Sequence, residues 1–191
     1  MEPNPMTVTS QTPETTASTW NLDPAHSAAE FKVRHMMISN VKGQFTGLAG
    51  VLTLDESDIA KSSVEATIDA STVSTHEAQR DGHLKSPDFF NIELYPTLKF
   101  HSKQVTRTGV DELDVTGDLT INAISREVVF KVEGPSPVAK DPWGNTRIGM
   151  SAHTKINRKD YGLHWNAVLE AGGILVGEDI TITLDLQFIK A

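Results

Sequence analysis

The chain has 191 residues, enough for one large β domain or two small ones with a substantial core. Its 38% hydrophobic and 22% charged composition is that of a soluble globular protein. No run of about 18 apolar residues could form a membrane-spanning helix, and a net charge of −8 argues against a nucleic-acid partner. With no cysteine, disulfides, thiolate metal sites and cysteine nucleophiles are excluded.

Residues 1–18 are rich in Thr, Ser and Pro and have neither a basic nor an apolar leader segment, so they read as a disordered tail on a single domain covering 19–191. That reading places the protein in the cytoplasm, or in the periplasm if a signal has been removed. The folded part opens with an extended segment, Trp20 to Asp23, cut by Pro24. Alternation begins after it, with Ala29, Phe31, Val33 and His35 on one face and Glu30, Lys32 and Arg34 on the other. Short strands follow over 41–45 and 50–54. In the next, Val64, Ala66, Ile68 and Ala70 share a face.

Alternation stops at Thr75. The stretch to Ser86 has no period-two pattern, which predicts a short helix capped by Ser74 or Thr75 and ended by Pro87. Between Pro87 and Pro96, Phe89, Phe90, Ile92, Leu94 and Tyr95 are too apolar for a solvated loop. The insertion, about 75–93, therefore reads as a plug or lid lying against the β-structure. Alternation resumes with Leu98 and Phe100 inward, then with Leu113, Val115, Gly117, Leu119 and Ile121. It continues through Val128, Phe130 and Val132, through Ile148 to Ile156, and through Ile180 to Phe188.

Eight to ten strands with one buried face each and no repeated crossover helix predict an all-β, antiparallel architecture, either a sandwich or a barrel. Strands of nine or ten residues favour a tall barrel. The small inward residues Ala29, Ala66, Ala70, Gly117 and Ala152 leave room for a ligand, although small residues facing large ones in a solid core give the same pattern.

Four ordered motifs carry a resemblance. They are Trp20-Asn21-Leu22-Asp23-Pro24-Ala25-His26-Ser27; Arg80-Asp81-Gly82-His83-Leu84 with Asp88-Phe89-Phe90 and Tyr95-Pro96; Gly117-Asp118-Leu119-Thr120-Ile121; and Ile156-Asn157-Arg158-Lys159-Asp160-Tyr161-Gly162. With these, the chain from Trp20 onward resembles the YceI-like, polyisoprenoid-binding family. The resemblance implies an elongated, lipocalin-like antiparallel β-barrel of about eight strands. It also implies an apolar tunnel holding an isoprenoid or fatty-acid-like lipid, without catalysis or a further cofactor. Asn122-Ala123-Ile124 departs from the family, which usually has a glycine after the Leu-Thr-Ile strand.

The residues expected to line the tunnel are Phe31, Val33, Phe45, Leu84, Phe89, Phe90, Phe100, Leu119, Phe130, Met150, Trp165 and Ile182. Arg80, Asp81 and His83 are expected to frame a gate at its mouth, either as a structural salt bridge or as a clamp for a lipid head group. His83 is expected to be buried and to tie the plug to a strand, and Arg158 to Gly162 to form a polar hairpin turn. Asp23, His26 and Ser27 lack a nucleophile elbow, and His76 and His83 alone do not make a metal site, so neither set is assigned a catalytic or metal role. The rival to a binding protein is a hydrolase or isomerase using His83 and Asp81 as an acid–base pair on a lipid-like substrate. Its condition is that both side chains face the cavity within about 3 Å of each other. A long exposed strand edge would favour a homodimer.

Overall fold

A computed structural model describes residues 17–170 and 172–191. The expected tail lies, over residues 1–16, outside the described residues. Its last two residues, Ala17 and Ser18, already belong to the first strand.

The described residues form eleven strands: β1 (Ala17–Leu22), β2 (Ala28–His35), β3 (Ser39–Phe45), β4 (Leu48–Asp55), β5 (Ser63–Asp69), β6 (Thr97–Arg107), β7 (Glu112–Ile121), β8 (Ile124–Glu133), β9 (Ala139–Lys140), β10 (Thr146–Asn157) and β11 (Val176–Lys190). One helix, α1 (Ala78–Lys85), interrupts them. The order β11-β1-β4-β5-β6-β7-β8-β10 closes through the pairing of β10 with β11, giving an eight-stranded antiparallel barrel. On its edge away from β10, the fifteen-residue β11 serves two further neighbours, pairing its C-terminal end with β1 and residues 176–185 with β2. Pro24 separates those two strands by a single 3-10 turn, with Asp23 accepting the Ala25 N–H. The β2–β3 hairpin therefore continues the wall beyond the ring.

Inward side chains alternate as the period-two pattern requires. Leu113, Val115, Leu119 and Ile121 of β7 are all buried. Outward positions carry charge: His101 pairs with Glu65, and Lys103 with Asp118. An apolar lumen inside a charged wall reverses the pattern of a lipid-spanning barrel. None of the helices among the described residues is long and apolar enough to cross a membrane.

Trp20, Leu52, Leu54, Ile148 and Phe188 form a buried cluster that bounds the lumen through Leu52, Leu54 and Phe188, with Trp20 at 0% exposure and its indole N–H donating to Ser18 Oγ at 2.7 Å. Removing this ring from a site that cannot collapse would cost about 3–5 kcal/mol. The insertion between β5 and β6 packs against the barrel.

The expected N-cap of the helix is corrected. Ser74 pairs with Gln44 on the edge of β3 and Thr75 is held by side chains of the helix itself, so the cap falls to Glu77, whose carboxylate accepts the N–H groups of Gln79 and Arg80. The helix stops at Ser86, one residue before Pro87, as predicted.

The β7–β8 turn at Asn122-Ala123 has φ of 51° and 59° at its two residues and pairs Ile121 with Ile124 across it. This is the backbone of a two-residue hairpin turn that normally selects glycine at its second position. An alanine in place of glycine there costs strain, while Ile121 and Ile124 still pair across the turn.

Candidate functional site

The barrel encloses a cavity of about 710 Å³, lined overwhelmingly by carbon. All twelve residues expected to line a tunnel border it: Phe31, Val33, Phe45, Leu84, Phe89, Phe90, Phe100, Leu119, Phe130, Met150, Trp165 and Ile182. They come from β2, β3, α1, the plug, β6, β7, β8, β10, β11 and the loop before β11, so no contiguous segment builds the site. Further inward residues of the same strands border it too, notably Leu98, Val115, Leu184 and Leu186. Period-two alternation already marked these. Leu163 and Leu175 also line it from the loop between β10 and β11, where no periodicity could have pointed to them.

Of the five small inward residues, Ala29, Ala66 and Ala152 border the cavity and the other two do not. A Cβ on Gly117 would lie 2.6 Å from the Phe100 ring and 2.4 Å from the His101 carbonyl, so the missing side chain there admits packing and a bulged neighbour rather than ligand. Ala70 is wholly buried in the core beneath the plug.

The plug's aromatic face lies inward, as its composition suggested. Phe90 meets Phe45 edge-on at 5.6 Å between ring centroids, and Phe89 lies 5.5 Å from Trp165. Phe89 is buried, whereas Phe90 is only half-buried because its ring faces the lumen. A charge at position 89 would therefore act on folding, and one at position 90 on the lumen.

The gate residues behave differently from expectation. Arg80 and His83 border the cavity, but Asp81 does not. Among the described residues no salt bridge fixes α1 to the barrel. Instead Arg80 and Asp81 grip one residue: Thr75 donates from its N–H and hydroxyl to Asp81 Oδ1 at 2.7 and 2.6 Å, while Arg80 donates to Thr75 Oγ1 and to its carbonyl. Burial would raise the Asp81 pKa, yet these bonds from Thr75 outweigh it and hold the carboxyl below its ordinary value.

His83 is not buried; its side chain is 37% exposed. It pairs with Asp88 at 2.8 Å and meets the Phe89 and Trp165 rings edge-on. The tie expected of His83 is made by Asn122, whose side-chain amide donates to the Phe89 carbonyl at 2.8 Å. Asp81 and His83 thus serve different partners, and the acid–base pair that the enzyme reading requires is not formed. Asp23 and His26 pair at 2.8 Å, but the Ser27 hydroxyl is engaged with the backbone of Gln187.

The stretch from Arg158 to Tyr161 is not a polar hairpin turn. It is a 3-10 turn with both end residues buried, and Gly162 closes it at φ 77°. Arg158 is 3% exposed and meets no carboxylate among the described residues. Its guanidinium donates to the carbonyls of Gly177, Leu163 and, at longer range, Val176, fastening the start of β11 to the loop before it. Burial pulls its pKa down, opposed by the negative charge of Glu178. Tyr161 is buried among apolar groups, which pushes its hydroxyl up to about 12. Spacing and composition could not distinguish this anchor from a solvated turn.

A model of the YceI-like domain matches residues 20–188. A UPF0312 protein of Staphylococcus aureus is 36% identical over 170 residues, which is 88% of this chain and 96% of that protein. The crystal structure of the Campylobacter jejuni YceI protein superposes with a TM-score of 0.69 at 30% identity, covering 84% of this chain and 91% of that one. A polyisoprenoid binding domain from Saccharophagus degradans shares the fold at 15% identity, with a TM-score of 0.62 and coverage of 90% of this chain and 98% of the other.

Proposed function

Since the chain belongs to the YceI-like family, we propose that its barrel binds a long-chain isoprenoid or similar amphiphilic lipid, storing or carrying it without changing it. The observation that carries this reading is the lumen. It is a cavity of about 710 Å³ whose wall is mostly aliphatic and aromatic and whose charged neighbours are Glu30 and Arg34 of β2, Glu77 and Arg80 at the start of α1, Lys99 of β6 and Arg158 of the turn after β10. Sites for small ligands are typically about 300–1,000 Å³, apolar, with a few polar groups to one side. The name of the Saccharophagus degradans domain supports a polyisoprenoid as the class of ligand.

Each CH₂ moved from water into such a lumen contributes about 0.8 kcal/mol, so ten give roughly 8 kcal/mol before the cost of association. A chain of repeating branched hydrocarbon needs no specific head-group contact to be held. Arg80 and His83, which border the cavity, are the groups available to a polar head; Asp81 orders Arg80 indirectly through Thr75, and Asp88 holds His83. The enzyme alternative loses its proposed machinery, since Asp81 and His83 are each bonded elsewhere.

The test is organic extraction of the purified chain followed by mass spectrometry, then reloading of the stripped protein with isoprenoid alcohols. Co-extracted lipid and saturable reloading are expected. A chain that yields no hydrophobic ligand and takes up none would refute the proposal.

A further inference from the structure

We infer that the β2–β3 hairpin is a docking element for an anionic lipid bilayer, its apolar tip entering the interface and its basic outer face meeting the head groups. The inference rests on the lumen reading, because β2 both borders the cavity and carries the tip.

The tip is Met36-Met37-Ile38, joining His35 to Ser39 across the hairpin. Met36 and Met37 stand at φ 49° and 59°, a left-handed backbone where turn chemistry would favour glycine or asparagine. The sequence instead spends that strain on large apolar side chains facing out, with Met37 at 56% and Ile38 at 76% exposure. The Arg34 guanidinium donates to the Met37 carbonyl and braces the turn. A neighbouring loop carries one further exposed apolar side chain, Val168, near the exposed Glu170. Met36 N–H donates to the Leu175 carbonyl, and Leu175 leads from a small hairpin bridged between Ile174 and Val168, whose side chain is 85% exposed. Arg34, His35 and Val41 of the β2–β3 hairpin and Leu175 behind it all border the lumen, so the tip stands next to residues of its wall.

Charge identifies the occupant. In a chain of net charge −8, the β2–β3 hairpin carries Lys32, Arg34 and Lys42 against one acidic residue, Glu30, which lies at the end of β2 away from the tip. Lys32 and Lys42 face each other directly across the two strands, an arrangement that repels itself in the free protein. All three basic residues are exposed, and none forms a salt bridge among the described residues. Glu30, two residues before Lys32 on the same face of β2, is the one acidic residue of that strand, while Asp179 and Glu178 on the neighbouring β11 are paired with Lys155 and Lys159. An apolar tip above unneutralised cations matches an anionic bilayer surface. A lipid leaving that bilayer would then pass directly to the lumen.

The experiment is co-sedimentation of the full chain with vesicles of phosphatidylcholine alone and of phosphatidylcholine mixed with phosphatidylglycerol. Binding is expected to the mixed vesicles and to weaken with salt. Each cation near such a surface is worth a factor of about five in partitioning, so Lys32→Ala with Lys42→Ala should weaken it about 25-fold. Met37→Glu with Ile38→Glu should weaken it about ten-fold or more. Both variants should load isoprenoid alcohol from vesicle-free solution as the parent does. Absent vesicle binding, or binding unaffected by either pair, overturns the inference and leaves a protein partner as the occupant of the tip. A parent chain that docks yet loads no lipid overturns the lumen reading and leaves the docking standing.

Discussion

Ala66 offers the sharpest test of how the lumen is used. It points inward from β5, borders the cavity and remains half-exposed because it faces the lumen, opposite Phe100 in the β5–β6 register. Ala66→Phe places a ring in that space. If the ring displaces about four methylene groups of the ligand at ~0.8 kcal/mol each, a chain long enough to fill the lumen loses ~3 kcal/mol, a factor of about 200 in affinity. Short chains that do not reach Ala66 lose nothing. The assay is calorimetric titration of the stripped protein with a series of straight-chain alcohols. In the parent, affinity rises with each carbon and then levels off when the lumen is full. In the variant it should level off about four carbons earlier. Equal loss at every length would mean that the ring disrupts the barrel. Unchanged affinity at every length would mean that chains do not occupy the lumen at this depth, and the reasoning would fail.

Two predictions concern stability. Ala123→Gly relieves the left-handed second position of the β7–β8 turn and should stabilise the chain by about 0.5–1 kcal/mol, raising Tm by roughly 2–4 °C in differential scanning calorimetry. A fall in Tm would show that the Ala123 backbone is not strained. The second concerns acid. The Arg147 guanidinium bridges Asp23 and Asp141 beneath the Pro24 turn, and Arg147, with help from His26, holds the Asp23 pKa at about 2. Because the folded value lies below the unfolded one, the stability this carboxylate contributes is complete at neutral pH. It is lost as pH falls from roughly 4 to about 2. Arg147→Met should therefore move the acid-unfolding midpoint, followed by tryptophan fluorescence, to higher pH; an unchanged midpoint would count against the bridge.

Period-two alternation of apolar and polar residues determined the β class, the inward faces and the place where the pattern fails, because a strand with one buried face must alternate wherever it sits. The four ordered motifs identified the family for the same local reason, since each is a short run whose residues meet close to one another. Both signals are carried along the chain, so they survive without coordinates, and every expected lumen residue was found on the lumen.

What a side chain meets across the barrel was not legible. Gly117 and Ala66 look alike in sequence, yet Phe100 fills the space beside one while the lumen opens beside the other. Asp81 and His83 suggested a pair, and the helix turned one towards Thr75 and the other towards Asp88. Arg158, in a run that reads as a solvated turn, became a buried anchor because carbonyls from Leu163 and Gly177 converge on it. Sequence thus determined which residues face inward, since that depends on neighbours two positions away. Tertiary structure alone decided which of them leave a space and which fill one, because closing the barrel brings together strands that are distant in the chain.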